Sequence, residues 1–465
     1  MFEKKKRKNF KFIALVLILI AGYLTHVIYV AFAHNPSFEL LSMNTISYSG
    51  LKAKINPDNT RISLIKVSLG TEDENIYKIY EDDGLDKKFK EKIIDISFSP
   101  NDEVIKFIKK NNLKSLYLYY TINYENKFFD SSLEKKIKIS IDFEPPKIKN
   151  IKTDSYVYIG GIGYVTYETS IDTFRSYVDS GLNEKFYPIS IKTKNDIRNL
   201  VFFTCGNSKC KNGKIKIVAE DYSGNSVIDT KRIKTIFNKK WAVSDIKVDF
   251  GFVKNKYNEI FGTNIVSANM ENFLELNDTL RSTNNNEITL NTKGISTDIL
   301  PLQRFYQMKN SEVFSDFSEI RNYYINDSEA PLMTTFHWGY DLASVENAEI
   351  YSSSNGIVSY INSGLGIYGK TVIVNHGLGF YTLYSHLSQI DVKIGDSVNN
   401  KTVIGRSGET GLAYGDHLHF GTYIQGVPFD SNEIWDKKYF KQKVINIYNR
   451  FIDNKTNKDK KKSGI

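Results

Sequence analysis

Cysteine and proline are both scarce in this chain, and each shortage narrows what it can be. Only two cysteines, Cys205 and Cys210, occur in 465 residues. Two thiols fall short of the four ligands of a structural zinc site; in an oxidising compartment the pair is expected to close a short hairpin loop. Nine prolines leave few enforced breaks, and the many Ile, Tyr and Phe residues favour strands. There is no His-Glu-x-x-His segment, so a helical metal site with a glutamate base is not indicated. A basic surface is lacking too, despite the net charge of +9. Lys4, Lys5, Lys6, Arg7, Lys8 and Lys11 stand against Glu3 at one end, and Lys455, Lys458, Lys460, Lys461 and Lys462 against Asp459 at the other. The interior from 12 to 453 is therefore formally neutral, which excludes a nucleic-acid partner read from charge.

What is present is a globular composition in a chain long enough for about two to four domains. Residues 1–11 form a basic segment, followed from Phe12 to Ala33 by 22 residues without formal charge. A helix of that length spans roughly 33 Å, enough for a ~30 Å hydrocarbon core. Residues 12–33 are accordingly expected to be a transmembrane anchor, with the basic flank cytoplasmic and the body outside. Ala31-Phe32-Ala33 also suits signal cleavage, but the run is long for a signal core.

Beyond the anchor, residues 34–144 read as a β-rich module, with alternation at Ile62–Val67 and Leu116–Tyr120 and a short helix near Asp102–Asn111. Pro145-Pro146 marks a boundary. Residues 145–238 carry short β-runs ending in Asp221-Tyr222-Ser223-Gly224-Asn225, which resembles the closing turn of bacterial immunoglobulin-like domains and implies a β-sandwich spacer or docking module. Residues 239–316 form an αβ connector, extended over Lys239–Phe252 and helical over Ala268–Leu280, with Asn284-Asn285-Asn286 ending the helix. A β-rich domain fills 317–440, and a basic, solvated tail fills 441–465.

Five of the seven histidines lie between His337 and His419. In an extended segment His337 and Asp341 share a face, as do His417 and His419. Two imidazoles and a carboxylate from distant strands form a set that zinc accepts with one position left open. The pattern His337-x-x-x-Asp341, then Tyr384-x-His386-Leu387, then His417-x-His419 resembles the lysostaphin-like (LytM-type) zinc metallopeptidases. Asn355-Gly356-Ile357-Val358, Tyr368 to Gly377 and the glycine turns at Gly395 and Gly405–Gly411 extend the resemblance over residues 335–430. It implies an antiparallel β-sheet peptidase domain, one zinc per chain on His337, Asp341 and His419, and His386 and His417 as a catalytic pair. His376, between Asn375 and Gly377, reads as structural. Position 421 is Gly where the family often has an acid, and Asp416 stands where it often has Pro; neither is a ligand.

The resemblance further implies zinc-dependent endopeptidase action on stem peptides or cross-links of peptidoglycan, D,D-type bonds among them, in cell-wall remodelling. A non-catalytic activator or scaffold for other wall hydrolases is the alternative. The expected partners are peptidoglycan, the cytoplasmic membrane through the N-terminal helix, and an envelope protein through the β-rich modules.

Overall fold

A computed structural model describes residues 18–26, 35–42, 44–58, 60–83, 93–125, 130–181, 184–207, 213–237, 240–296, 303–326 and 328–460, with side chains of the last helix described to residue 453. Of the expected span 12–33 only 18–26 is described, and it is helical. Among the described residues no helix is long and apolar enough to cross a membrane. The chain divides into two compact units, residues 1–146 with 220–226, and residues 147–219 with 227–465.

In the first unit a five-stranded and a three-stranded sheet share one core. Strand Ser115–Glu125 alternates half-buried and buried positions along its length, which is how a period-2 sequence buries one face. Helix Asp102–Lys110 starts where the Asn101 side chain accepts from Val104 N at 3.0 Å, and it buries Val104 and Ile108.

The second unit begins with two four-stranded sheets, the sandwich that the 145–238 segment leads one to expect. Its core does not end with it. Val165, Phe202 and Ile217 continue into Phe380, Phe429, Phe440 and Phe451 as one buried cluster, with Phe202 and Phe380 ring centroids 5.4 Å apart. The module read as a spacer is therefore welded to the last domain. Cys205 is buried and disulfide-bonded, while Cys210 lies outside the described residues.

Three readings of the later chain need correction. The Asn284–Asn286 triplet does not end the connector helix. Met270–Leu274 runs through a π-turn, Glu275–Leu280, into Arg281–Asn291. Asn284 is buried, its Oδ1 accepting from Ile367 N at 2.9 Å, so docking offsets asparagine's weak helix propensity. Strand Val243–Lys247 gives way to helix Phe250–Phe261, capped by Asp249, so the extended reading of Lys239–Phe252 holds only in its middle. Nor is residue 441 the start of a solvated tail. Lys441–Ile445 and Asn446–Lys460 are helical and bury Val444, Ile447 and Phe451. The lysines, crowded at the end, mask this apolar periodicity.

The last domain is built on an eight-stranded sheet in the order Glu312–Ser315, Tyr340–Ala343, Leu418–Ile424, Phe380–Leu387, Gly369–Gly377, Gly356–Leu365 and Ser397–Val398, with Val427–Pro428 paired to Leu418–Ile424. Leu418–Ile424 and Phe380–Leu387 are buried at every position. The first strand precedes the expected start of the domain at 317 and completes the sheet beside the histidines.

Candidate metal centre

The site grows from strand register. Asp341 and His419 are direct partners across the antiparallel pair Tyr340–Ala343 and Leu418–Ile424, and directly opposed side chains share a face. His337 arrives differently from its expectation. Strand Met333–Phe336, in a separate three-stranded sheet, ends just before it, and the chain turns through 337–339 before Asp341. His337 and Asp341 thus meet across a turn rather than along one strand.

The three donors converge. Asp341 Oδ1 lies 3.0 Å from His337 Nε2 and 3.0 Å from His419 Nδ1, and the two nitrogens are 2.9 Å apart. Four-coordinate zinc with bonds of 2.0–2.1 Å has ligand–ligand edges of about 3.3 Å. The observed triangle is slightly tighter, and a small outward movement admits the ion. All three ligand atoms fall within 4.8 Å of one another.

Tautomers support the fit. His337 Nδ1 lies 3.0 Å from the Asp316 carbonyl and 2.9 Å from Ser315 Oγ. Donation to that carbonyl leaves Nε2 as a bare lone pair aimed at the site, the usual outer-shell arrangement of a ligating histidine. Burial depresses His419 to about 4, so its imidazole is neutral, as a ligand must be. Its outward Nε2 is buried without a hydrogen-bond partner, packed beneath Gly339. A Cβ on Gly339 would meet His419 Nε2 at 2.9 Å and Phe420 O at 2.6 Å.

His386 and His417 stand beside the triad. Their ring centroids are 4.8 Å apart, and His386 lies 5.8 Å from His419. His386 has a left-handed backbone, φ 61°. This breaks strand alternation after Ser385, the cross-strand partner of His419, and aims the ring into the site at the cost of strain. Its Nδ1 is 2.8 Å from the Thr410 carbonyl, which leaves Nε2 free to accept. Burial, then the neighbouring His417 and His419, hold His386 well below its ordinary value. Burial also opposes charge on His417, but Asp341, 3.6 Å from its Nε2, outweighs it and raises His417. His376 sits apart. Buried, it contacts Asn355 O at 2.6 Å and Thr382 Oγ1 at 2.7 Å.

Arg321 is the residue that sequence reasoning missed. Its Nη2 donates to Asp341 Oδ2 at 2.9 Å and to Ser315 Oγ at 2.8 Å, and its Nε to Glu319 Oε2 at 3.1 Å. No motif flags it, because it lies twenty positions before Asp341 in another sheet. The whole arrangement opens into a cleft of about 600 Å³, with connector residues Phe252, Phe273, Asn277 and Arg281 forming one wall.

Residues 335–431 match the model of Peptidase family M23. The chain is 32% identical over 129 residues to the peptidoglycan DD-endopeptidase ShyA of Vibrio cholerae, covering 28% of this chain and 29% of that protein. It is 35% identical over 100 residues to the DD-carboxypeptidase/endopeptidase Mpg of Neisseria meningitidis, covering 21% and 23%. A zinc-containing peptidase from Vibrio cholerae aligns over 75% of this chain and 87% of that one, at 15% identity and a TM-score of 0.26. The chain spans less than two-fifths of the length of the relatives it matches. All of the sheet but its first strand, the His-Asp-His cluster and the family match fall within residues 335–431: the chain carries a C-terminal M23 peptidase domain.

Proposed function

We propose that the protein is a zinc-dependent peptidase that hydrolyses peptide bonds in peptidoglycan stem peptides or cross-links. One observation carries this reading: His337, Asp341 and His419 present three ligand atoms to a single point, with His386 and His417 beside them in an open cleft. His337, Asp341 and His419 would hold a zinc ion, which would supply acidification of water and polarisation of a carbonyl. His386 and His417 receive the proton of the attacking water and return it to the leaving amine. His386, kept neutral by burial, suits acceptance, and a positioned acid or base contributes ~10²–10⁴ in rate. Relatives named for DD-endopeptidase and carboxypeptidase activity support a D-alanyl bond as the target. The basic flank and apolar run at the N-terminus support an anchored, extracytoplasmic placement in which the cleft faces the wall.

Digestion of purified sacculi with the zinc-loaded full-length protein tests this. Loss of cross-linked dimers or trimming of stem peptides is the expected result. Intact dimers and stems, with zinc bound stoichiometrically, would instead leave the chain a non-catalytic activator.

A further inference from the structure

Four carboxylates line the cleft, and each is already answered. Asp249 caps its helix through Gly251 N at 2.8 Å and Phe252 N at 3.3 Å. Glu319 and Asp341 share Arg321. Asp416 takes Asn347 N at 3.0 Å and the Ser407 hydroxyl. The cleft's other arginine, Arg281, has no acidic partner among the described residues. It is half-buried, and among the described residues its bonds run only to Asn277, with Nε on the backbone carbonyl at 3.1 Å and Nη2 on Oδ1 at 2.8 Å. Asn277 is itself buried and lies in the π-turn Glu275–Leu280, a device often found where a helix serves a site. The turn thus holds the guanidinium in place and leaves Nη1 free. One helical turn further on, Asn285 takes the hydroxyl of Tyr368 at 2.8 Å, and the Tyr368 ring packs edge-on against His419 at 5.4 Å. Arg281 is therefore tied to the wall that reaches the metal ligands.

A fixed, unneutralised guanidinium in a cleft is shaped for a planar anion. We propose that Arg281 binds a carboxylate of the peptide occupying the cleft, so that the connector, lying outside the family match, selects acidic over neutral peptides. This rests on the reading of the cleft as a peptide site.

The probe is a short peptide with a D-alanyl bond, one side-chain carboxylate and a free C-terminal carboxylate, together with versions amidated at either group. Binding is measured by calorimetry on the zinc-loaded full-length protein carrying His386→Ala, in which turnover should be slowed about 10²–10⁴-fold. Amidating one of the two groups should weaken binding about 10- to 100-fold, and which one identifies the carboxylate. Adding Arg281→Gln should weaken binding of the acid by the same factor and abolish the preference; Arg281→Lys should keep part of it. Equal binding of all three peptides, no binding of any, or a preference surviving Arg281→Gln would overturn the proposal. If Arg281→Gln fails to fold, the amidation series decides alone. With His386 restored, acid-selective binding without cleavage would sink the peptidase reading and leave the Arg281 site standing. Equal cleavage and binding of all three would do the reverse.

Discussion

Arg321 donates through Nη2 to Asp341 Oδ2 at 2.9 Å, and so turns the other oxygen, Oδ1, towards His337 and His419. One carboxylate is thereby split between a permanent cation and the candidate metal position. The same guanidinium neutralises Glu319 and reaches Ser315, which contacts His337. Arg321→Gln should lower zinc affinity about 10- to 100-fold, the usual effect of removing an outer-shell partner. A competition titration against a zinc chelator checks this, and unchanged affinity would refute the role.

His386→Ala and His337→Ala should separate chemistry from metal. The first should retain one zinc and lose about 10²–10⁴ in kcat/KM. The second should lose the zinc. Metal analysis beside an activity assay reads both, and zinc lost on His386→Ala would place that ring among the ligands.

Gly339→Ala introduces a methyl against the His419 ring and the Phe420 carbonyl. Neither can give way without moving the strand that carries the ligand, so zinc affinity and melting temperature should both fall. A variant that melts and binds like the wild type would show that the turn at 337–339 adjusts freely.

Burial raises Glu433 from 4.5 to about 8, against the opposing hydrogen bond from Ile162 N. The folded protein then holds a proton that the unfolded chain releases. Glu433's contribution to stability is most favourable below pH ~4.5, declines as pH rises towards ~8, and levels off above it. Glu433→Gln should flatten that slope and stabilise the protein at pH 8, on the order of a few kcal/mol. Denaturant titrations at pH 5 and pH 8 measure it, and an unchanged slope would exclude Glu433 as its source.

Phe451 is 4% exposed at the end of the core shared by sandwich and sheet, and Arg198 donates to its carbonyl at 2.6 Å. Phe451→Ala should cost about 3–5 kcal/mol. Truncation after 440, which also removes Val444 and Ile447, should cost more. If the truncated protein melts as the full chain does, the tail is solvated after all.

Local pattern determined much of this protein: the strands of both modules, the helix at Asp102–Lys110, and the short His and Asp motifs whose resemblance to a family singled out five side chains. These were legible because alternation, turn glycines and the spacing of His and Asp are short-range features. Long-range packing decided the rest. Asn284 stays helical because it docks on Ile367; the C-terminal helix is buried because Phe202 and Phe380 offer it a shared core; Arg321 and Arg281 belong to the cleft because their backbones are carried there. A side chain's neighbours across a sheet or a domain face are set by register and burial, which no run of consecutive residues spells out.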